Sequence, residues 1–370
     1  MVFSLLRPLT IQHPPKELSG VAAWVETSKP ILPIPVVLLA AWLLWFLFFR
    51  NTWRELDQES LSHRAKLLAT GKTDRRPWIA LPLCALILTM QEYYGGRAYF
   101  DLSIYPLLTK LDGAHAWMKL TKYDELYGFA WWAGTRIGGY CAPFLVWKLF
   151  FRTDSLLDLG LRTKGFFDHV WIYFLFFGFV VLPMFIVAKS PDFGAYYPFY
   201  KTAHRSWFDF LVWEAMYFAQ FFALEMFFRG FWLGTLRKSF GSGAIFVMAV
   251  PYCMIHYGKP YLEAAGAILA GIALGSLSMR TKSIYQGFLV HITIAAMMDW
   301  LSLRHRHSTP LYLFPTDATV PSQMNYAAQE QAREALAVRV ETTAVIIFSL
   351  IIVFLFVMML RAHRLKGRRI

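Results

Sequence analysis

Hydrophobic positions in this chain gather into nine long blocks, at about residues 30–49, 78–94, 127–147, 167–188, 208–236, 242–257, 262–279, 283–303 and 342–360. Apart from Arg136 and Arg229, the lysines and arginines lie in the stretches between them. A rise of about 1.5 Å per residue carries most of these blocks across a hydrocarbon layer about 30 Å thick, and they are longer than a core helix of a soluble domain requires. The pattern predicts an all-α, polytopic membrane helical bundle of about nine transmembrane helices, in which 78–94 and 242–257 need tilt or extension. It divides the chain into an N-terminal membrane region, 1–207, with about four spans; a four-span core, 208–303; and a final part, 304–370. In that last part SQMNYAAQEQAREALAVRV, 322–340, starts with a Ser cap and reads as an amphipathic helix leading into the last span. Residues 96–126, mixed aromatic and charged, suit the membrane surface.

Composition narrows the picture. The chain is 57% hydrophobic and 16% charged, and its formal charge of +13 sits in the short loops rather than on one face. That excludes a nucleic-acid partner as the reason for the charge and makes it a topological signal. Lys and Arg are more than twice as dense on one side of the nine-span arrangement, which places the N-terminus outside and the basic RAHRLKGRRI tail inside. An integral multi-pass protein of the plasma (inner) membrane is expected. The first 29 residues lack a compact apolar core and a small-residue cleavage pattern, so no cleaved signal peptide is expected. Cys84, Cys141 and Cys253 lie in distant apolar blocks and read as small buried hydrophobes, not as a disulfide or a metal site.

Ionisable residues inside the blocks carry the chemistry. LEMFFRG puts Glu225 and Arg229 one helical turn apart in the 208–236 block, where either a structural ion pair or a functional site justifies the cost of burying charge. Measured from the basic end of each span, Glu225, His256 and His291 lie about 18, 21 and 12 Å deep, so three spans bring ionisable groups into one slab near the midplane. Glu214 lies three turns before Glu225 on the same face and reads as a span-end carboxylate or an extension of a polar path. Glu263 suits the N-terminal dipole of its helix. Asp299 lies two turns beyond His291 at the edge of its face, and Arg136, in WWAGTRIGGY, is a possible counter-charge to one of the acids. Small residues Gly266, Ala267, Ala270, Gly271 and Gly275 allow close packing of the 262–279 span.

A carboxylate and a histidine in a dry slab can polarise one water, and a second histidine can hydrogen-bond an oxyanion as it forms. These are the parts of a water-activating amide hydrolase with no cofactor. Two histidines and a carboxylate are also a zinc set, so zinc at Glu225, His256 and His291 is the alternative, weakened by the absence of an HExxH helix. A proton-coupled transporter using Glu214, Glu225 and the histidines is a third possibility, but it predicts an internal repeat that the sequence lacks.

LEMFFR at 224–229, YCMIH at 252–256 and HITIA at 291–295 follow the order and spacing of an EExxxR, an FxxxH and an HxxxN pattern, with a small-residue span and a short basic turn before His291. This resembles the CAAX-processing and bacteriocin-processing (type II CAAX prenyl endopeptidase, or Abi) intramembrane proteases over about 208–303. The resemblance implies a peptidase acting on a membrane-associated protein or peptide, with Glu225 and His256 activating water, His291 supporting the oxyanion, Arg229 partnering the motif acid, and Tyr252 at the motif's aromatic position. Two positions depart from it. Leu224 stands where the family has its first glutamate, and Ala295 where it has an asparagine, with Asp299 one turn further on. The alternative these departures suggest is a catalytically silent relative that binds a membrane partner for sorting or immunity.

Overall fold

The structure is a computed structural model that describes residues 31, 33–113, 116–163, 166–189, 191–259, 261–315 and 326–367. It is helical throughout, with one isolated antiparallel bridge between Leu161 and Ser283 among the described residues. In chain order the helices are α1 (Pro33–Leu44), α2 (Arg50–Ala69), α3 (Arg76–Tyr94), α4 (Tyr105–Asp112), α5 (Leu120–Phe150), α6 (Phe166–Val187), α7 (Pro191–Tyr196), α8 (Trp207–Glu225), α9 (Leu233–Phe240), α10 (Gly243–Met254), α11 (Tyr261–Thr281), α12 (Tyr285–His305) and α13 (Tyr326–Gly367). π-helical turns join α1 to α2 and α8 to α9.

Every apolar block falls on a helix. Among the described residues, four helical stretches are long and apolar enough to cross a membrane: Ile34–Ala69, Trp207–Phe240, Glu263–Thr281 and Tyr285–His305. Gly243–Met254 is apolar but shorter. The membrane character is therefore structural, whereas the count of about nine crossings rests on the sequence pattern. The expected amphipathic helix and last span form a single helix, α13, tied back to α12 where Arg304 Nε donates to Glu341 Oε1 at 3.0 Å. Its proposed Ser322 cap, like the first 30 residues, lies outside the described residues.

The helix that carries the site begins on a built cap. Ser206 Oγ accepts from the Asp209 amide at 3.1 Å and donates to Asp209 Oδ2 at 2.6 Å. This cap satisfies the Asp209 amide, one of the donors that a helix start otherwise leaves open. Asp209 also accepts from Arg205 and from the Tyr200 hydroxyl, which fixes the start of α8 to the turn before it.

Helices in lipid gain little from hiding apolar surface, so packing geometry holds them together. α8 and its π turn lie against α5 through aromatic rings: Tyr140 stacks on Phe227 at 4.8 Å, and Trp147 meets Phe231 edge-on at 5.6 Å. Each such pair contributes about 0.5–1.5 kcal/mol beyond its contact area. On the other side, α11 approaches α10 through its small residues. A Cβ on Gly271 would lie 3.1 Å from the Ala249 methyl, and one on Gly275 2.9 Å from Met248 Cε, whereas Gly266 faces open space. The turn Leu156–Leu159 wedges against the site helix from outside. A Cβ on Gly230 would come within 2.5 Å of the Leu159 carbonyl oxygen, so only glycine admits that approach.

Candidate functional site

α8, α10 and α12 bring their motif residues together. Glu225 and Arg229 are both fully buried, with Arg229 Nη1 3.2 Å from Glu225 Oε1. The guanidinium lies over the Tyr252 ring, 3.9 Å from its centroid. None of its nitrogens makes an aligned hydrogen bond. Arg229 is thus held by the carboxylate's charge and the ring's face rather than by a bidentate fork. These two residues sit at the π-helical turn Met226–Trp232, a widened geometry that recurs at functional sites.

His291 joins this pair to Tyr252. Its Nδ1 lies 2.8 Å from Glu225 Oε1, and its Nε2 lies 3.0 Å from the Tyr252 hydroxyl. A bare nitrogen lone pair would repel a carboxylate at that distance, so Nδ1 carries the proton. In the neutral ring Nε2 then accepts from Tyr252. His256 is oriented differently. Its Nδ1 lies 2.7 Å from the Tyr252 backbone carbonyl, an acceptor, so Nδ1 again carries the proton and Nε2 is a lone pair. The Tyr252 and His256 rings are 4.7 Å apart.

These groups face a cavity of about 440 Å³. Tyr252, His256, His291 and Leu224 line it, but Glu225 does not. Glu225 therefore reaches the cavity through His291, and the wall position beside it is the apolar Leu224. Other walls come from the N-terminal region, 1–207, with Trp132 and Arg136 of α5 and Phe199 and Lys201 of the 197–205 turn. Apart from Arg136, a candidate counter-charge, these walls had no role in the sequence pattern. The signal was present as two tryptophans and an arginine in one apolar block.

The remaining candidates lie apart from this cluster. Asp299 is fully buried and accepts from Trp213 Nε1 at 2.6 Å, with the buried Glu214 close to it. Neither lines the cavity, and Ala295 is buried in the aromatic cluster of Trp213 and Tyr217. Arg136 does not counter an acid among the described residues. It stacks over Trp132 at 4.7 Å instead. Glu263 accepts from Lys259 Nζ at 2.6 Å and from the Tyr197 hydroxyl rather than serving its helix dipole alone. The three cysteines are free.

Among the described residues no three His, Cys, Asp or Glu side chains converge to hold a metal ion. Glu225 Oε1 lies 2.8 Å from His291 Nδ1 and 3.2 Å from Arg229 Nη1, and His291 Nε2 meets the Tyr252 hydroxyl. As placed, Glu225, His256 and His291 do not make a zinc ligand set.

Residues 206–297 match the protein family described as type II CAAX prenyl endopeptidase Rce1-like. The chain carries a domain of this family. The match starts at the Ser206 cap and takes in Glu225, Arg229, Tyr252, His256 and His291, but stops short of Asp299. It covers about a quarter of the chain, and comparison with curated proteins and with solved structures gives no match. The Rce1-like family is one of proteases, which agrees at that level with a membrane-embedded site of buried carboxylate and histidines.

Proposed function

We propose that this chain is a membrane-embedded peptidase that hydrolyses a peptide bond of a membrane-associated protein or peptide. The observation that carries the reading is the convergence of His256 and His291 on one cavity, each with its tautomer set by a partner. A water in the cavity gives a proton to His256 Nε2 as its oxygen adds to the scissile carbonyl carbon. The carbonyl oxygen takes the negative charge, and the Tyr252 hydroxyl turns its single proton from His291 Nε2 to donate to that oxygen. The C–N bond then breaks, and the imidazolium returns the proton to the leaving nitrogen. Glu225 is a positioning residue in this scheme: it holds His291, while Arg229 balances its charge. The surrounding arrangement is about nine spans in the plasma membrane, N-terminus outside and C-terminus inside, as the charge pattern indicates.

One observation favours a second reading. No carboxylate lines the cavity, and Leu224 occupies the wall where the resemblance expects a glutamate. A silent relative that binds a membrane partner through the same cavity fits that wall. Comparing new peptide termini in membranes holding wild type, His256→Ala or Glu225→Gln at matched expression separates the two. Termini seen only with wild type establish proteolysis and name the substrate; identical termini in all three, with the variants folded, leave the binding reading.

A further inference from the structure

Three lysine or arginine side chains and no carboxylate line the cavity, and their donors are not equally committed. Lys201 Nζ spends its three donors on the backbone carbonyls of Ala195, Tyr196 and Pro198, at 2.7, 2.8 and 2.9 Å. Lys259 is neutralised by Glu263 at 2.6 Å. Arg136 differs from both. Its Nη1 makes one long contact, 3.4 Å to the Tyr140 hydroxyl, and its buried Nε has no acceptor. The guanidinium lies over the Trp132 ring, its carbon 4.7 Å from the centroid, and both residues line the cavity.

Arg136 is half-buried, but its buried Nε without an acceptor is costly unless an anion entering the cavity completes it. A planar fork beside an aromatic wall suits a carboxylate, and a ligand cut at His256 must bring peptide groups into the same space. We propose that Arg136 anchors a carboxylate of the peptide that enters the cavity, so that substrate preference is set by an α5 residue outside the Rce1-like segment. The proposal deepens the peptidase reading by naming an acidic substrate class.

The test is binding rather than turnover. Full-length protein in phosphatidylcholine nanodiscs is titrated with a fluorescently labelled apolar pentapeptide bearing a free C-terminal carboxylate, and with its C-terminal amide, by fluorescence polarisation. The His256→Ala chain is used alongside wild type so that cleavage does not distort the isotherm. The carboxylate form is expected to bind about thirtyfold tighter than the amide or more, the loss that follows when a buried charge is left without its partner. Arg136→Gln is expected to bring the two forms together, and Arg136→Lys to keep part of the difference. Equal binding of acid and amide by the unmutated chain overturns the proposal without any variant having to fold. So does a preference that survives Arg136→Gln. Phosphatidic acid in the nanodiscs supplies a competing phosphate; if it displaces the peptide acid and binds Arg136-dependently while the acid–amide difference vanishes, the anchor belongs to lipid and the proposal fails. A carboxylate preference without cleavage by wild type overturns the peptidase reading and leaves this one standing, whereas cleavage without the preference does the reverse.

Discussion

Glu225 Oε1 lies 2.8 Å from Nδ1 of His291, a contact made between α8 and α12. It depends on Gly287, because a Cβ there would lie 2.7 Å from Glu225 Oε2. Gly287→Ala must therefore push the carboxylate off His291 or the helices apart, and overpacking of this kind costs about 1–3 kcal/mol. The expected outcome is a lower unfolding temperature in micelles and loss of wild-type peptide termini. Gly138→Ala, where a Cβ meets nothing within 4 Å, is the matched control and is expected to lose neither.

Glu225 and Arg229 form a fully buried pair, so removing one charge costs more than removing both. Glu225→Gln leaves Arg229 buried and unpaired, at a cost of about 3–5 kcal/mol. Glu225→Gln combined with Arg229→Met is expected to recover most of that stability, measured by thermal unfolding of the purified protein, while termini remain absent because the negative charge that holds His291 is gone. Equal melting of the single and double variants would remove the ion pair from the account.

Much of this site was legible in the sequence, for a physical reason. An ionisable residue in an apolar block is conspicuous, and helix rise converts its position into depth, so Glu225, His256 and His291 could be placed in one slab. Direction within the slab was not legible. The sequence paired Glu225 with His256 as water activators, but depth cannot say which way a carboxylate turns, and the structure turns this one to Arg229 and His291. Asp299 shows the same limit, since its helical face allowed the site and Trp213 holds it elsewhere. The walls from α5 and the 197–205 turn depend on contacts between segments distant in the chain, which no local pattern reports.

Asp154, in the loop after α5, gives a pH dependence of defined sign. Burial raises its pKa, but hydrogen bonds from Arg76 at 2.8 and 3.3 Å, the charge of Arg76 and a bond from Trp147 outweigh that and hold the carboxyl below its ordinary value. A carboxylate depressed in the folded state stabilises fully above the unfolded pKa of about 3.9 and loses that contribution as pH falls through the lower folded value. The unfolding-temperature difference between wild type and Asp154→Asn is therefore expected to be constant between about pH 7 and pH 5 and to shrink below about pH 3. A difference that grows on acidification would contradict the assignment.

Tyr252 and His256 have separable roles in the proposed chemistry. Tyr252→Phe keeps the ring over Arg229 and the backbone carbonyl that orients His256 but removes the hydroxyl facing His291. Loss of one oxyanion donor costs about 10²–10³ in kcat. Tyr252→Phe is expected to reduce cleavage of the identified substrate to that extent at unchanged KM, whereas His256→Ala abolishes detectable cleavage. A Tyr252→Phe enzyme with wild-type kcat would move the oxyanion contact to another donor.

Leu224 decides between the peptidase and its silent alternative, because it is the apolar wall position next to Glu225. If His256 alone activates water, a second acid there adds a buried charge near a working base. Leu224→Glu then lowers stability by the cost of an unpaired buried carboxylate and does not raise cleavage above wild type. Leu224→Gln serves as the control for shape and polarity. If the wild-type chain is silent for want of a base on the wall, Leu224→Glu creates peptide termini that neither wild type nor Leu224→Gln produces. The expected outcome is the first: termini from wild type, no gain with the acid, and a lower unfolding temperature for Leu224→Glu than for Leu224→Gln. A gain confined to the acid variant would show that the fold retains the geometry of a peptidase but that this chain uses the cavity to bind.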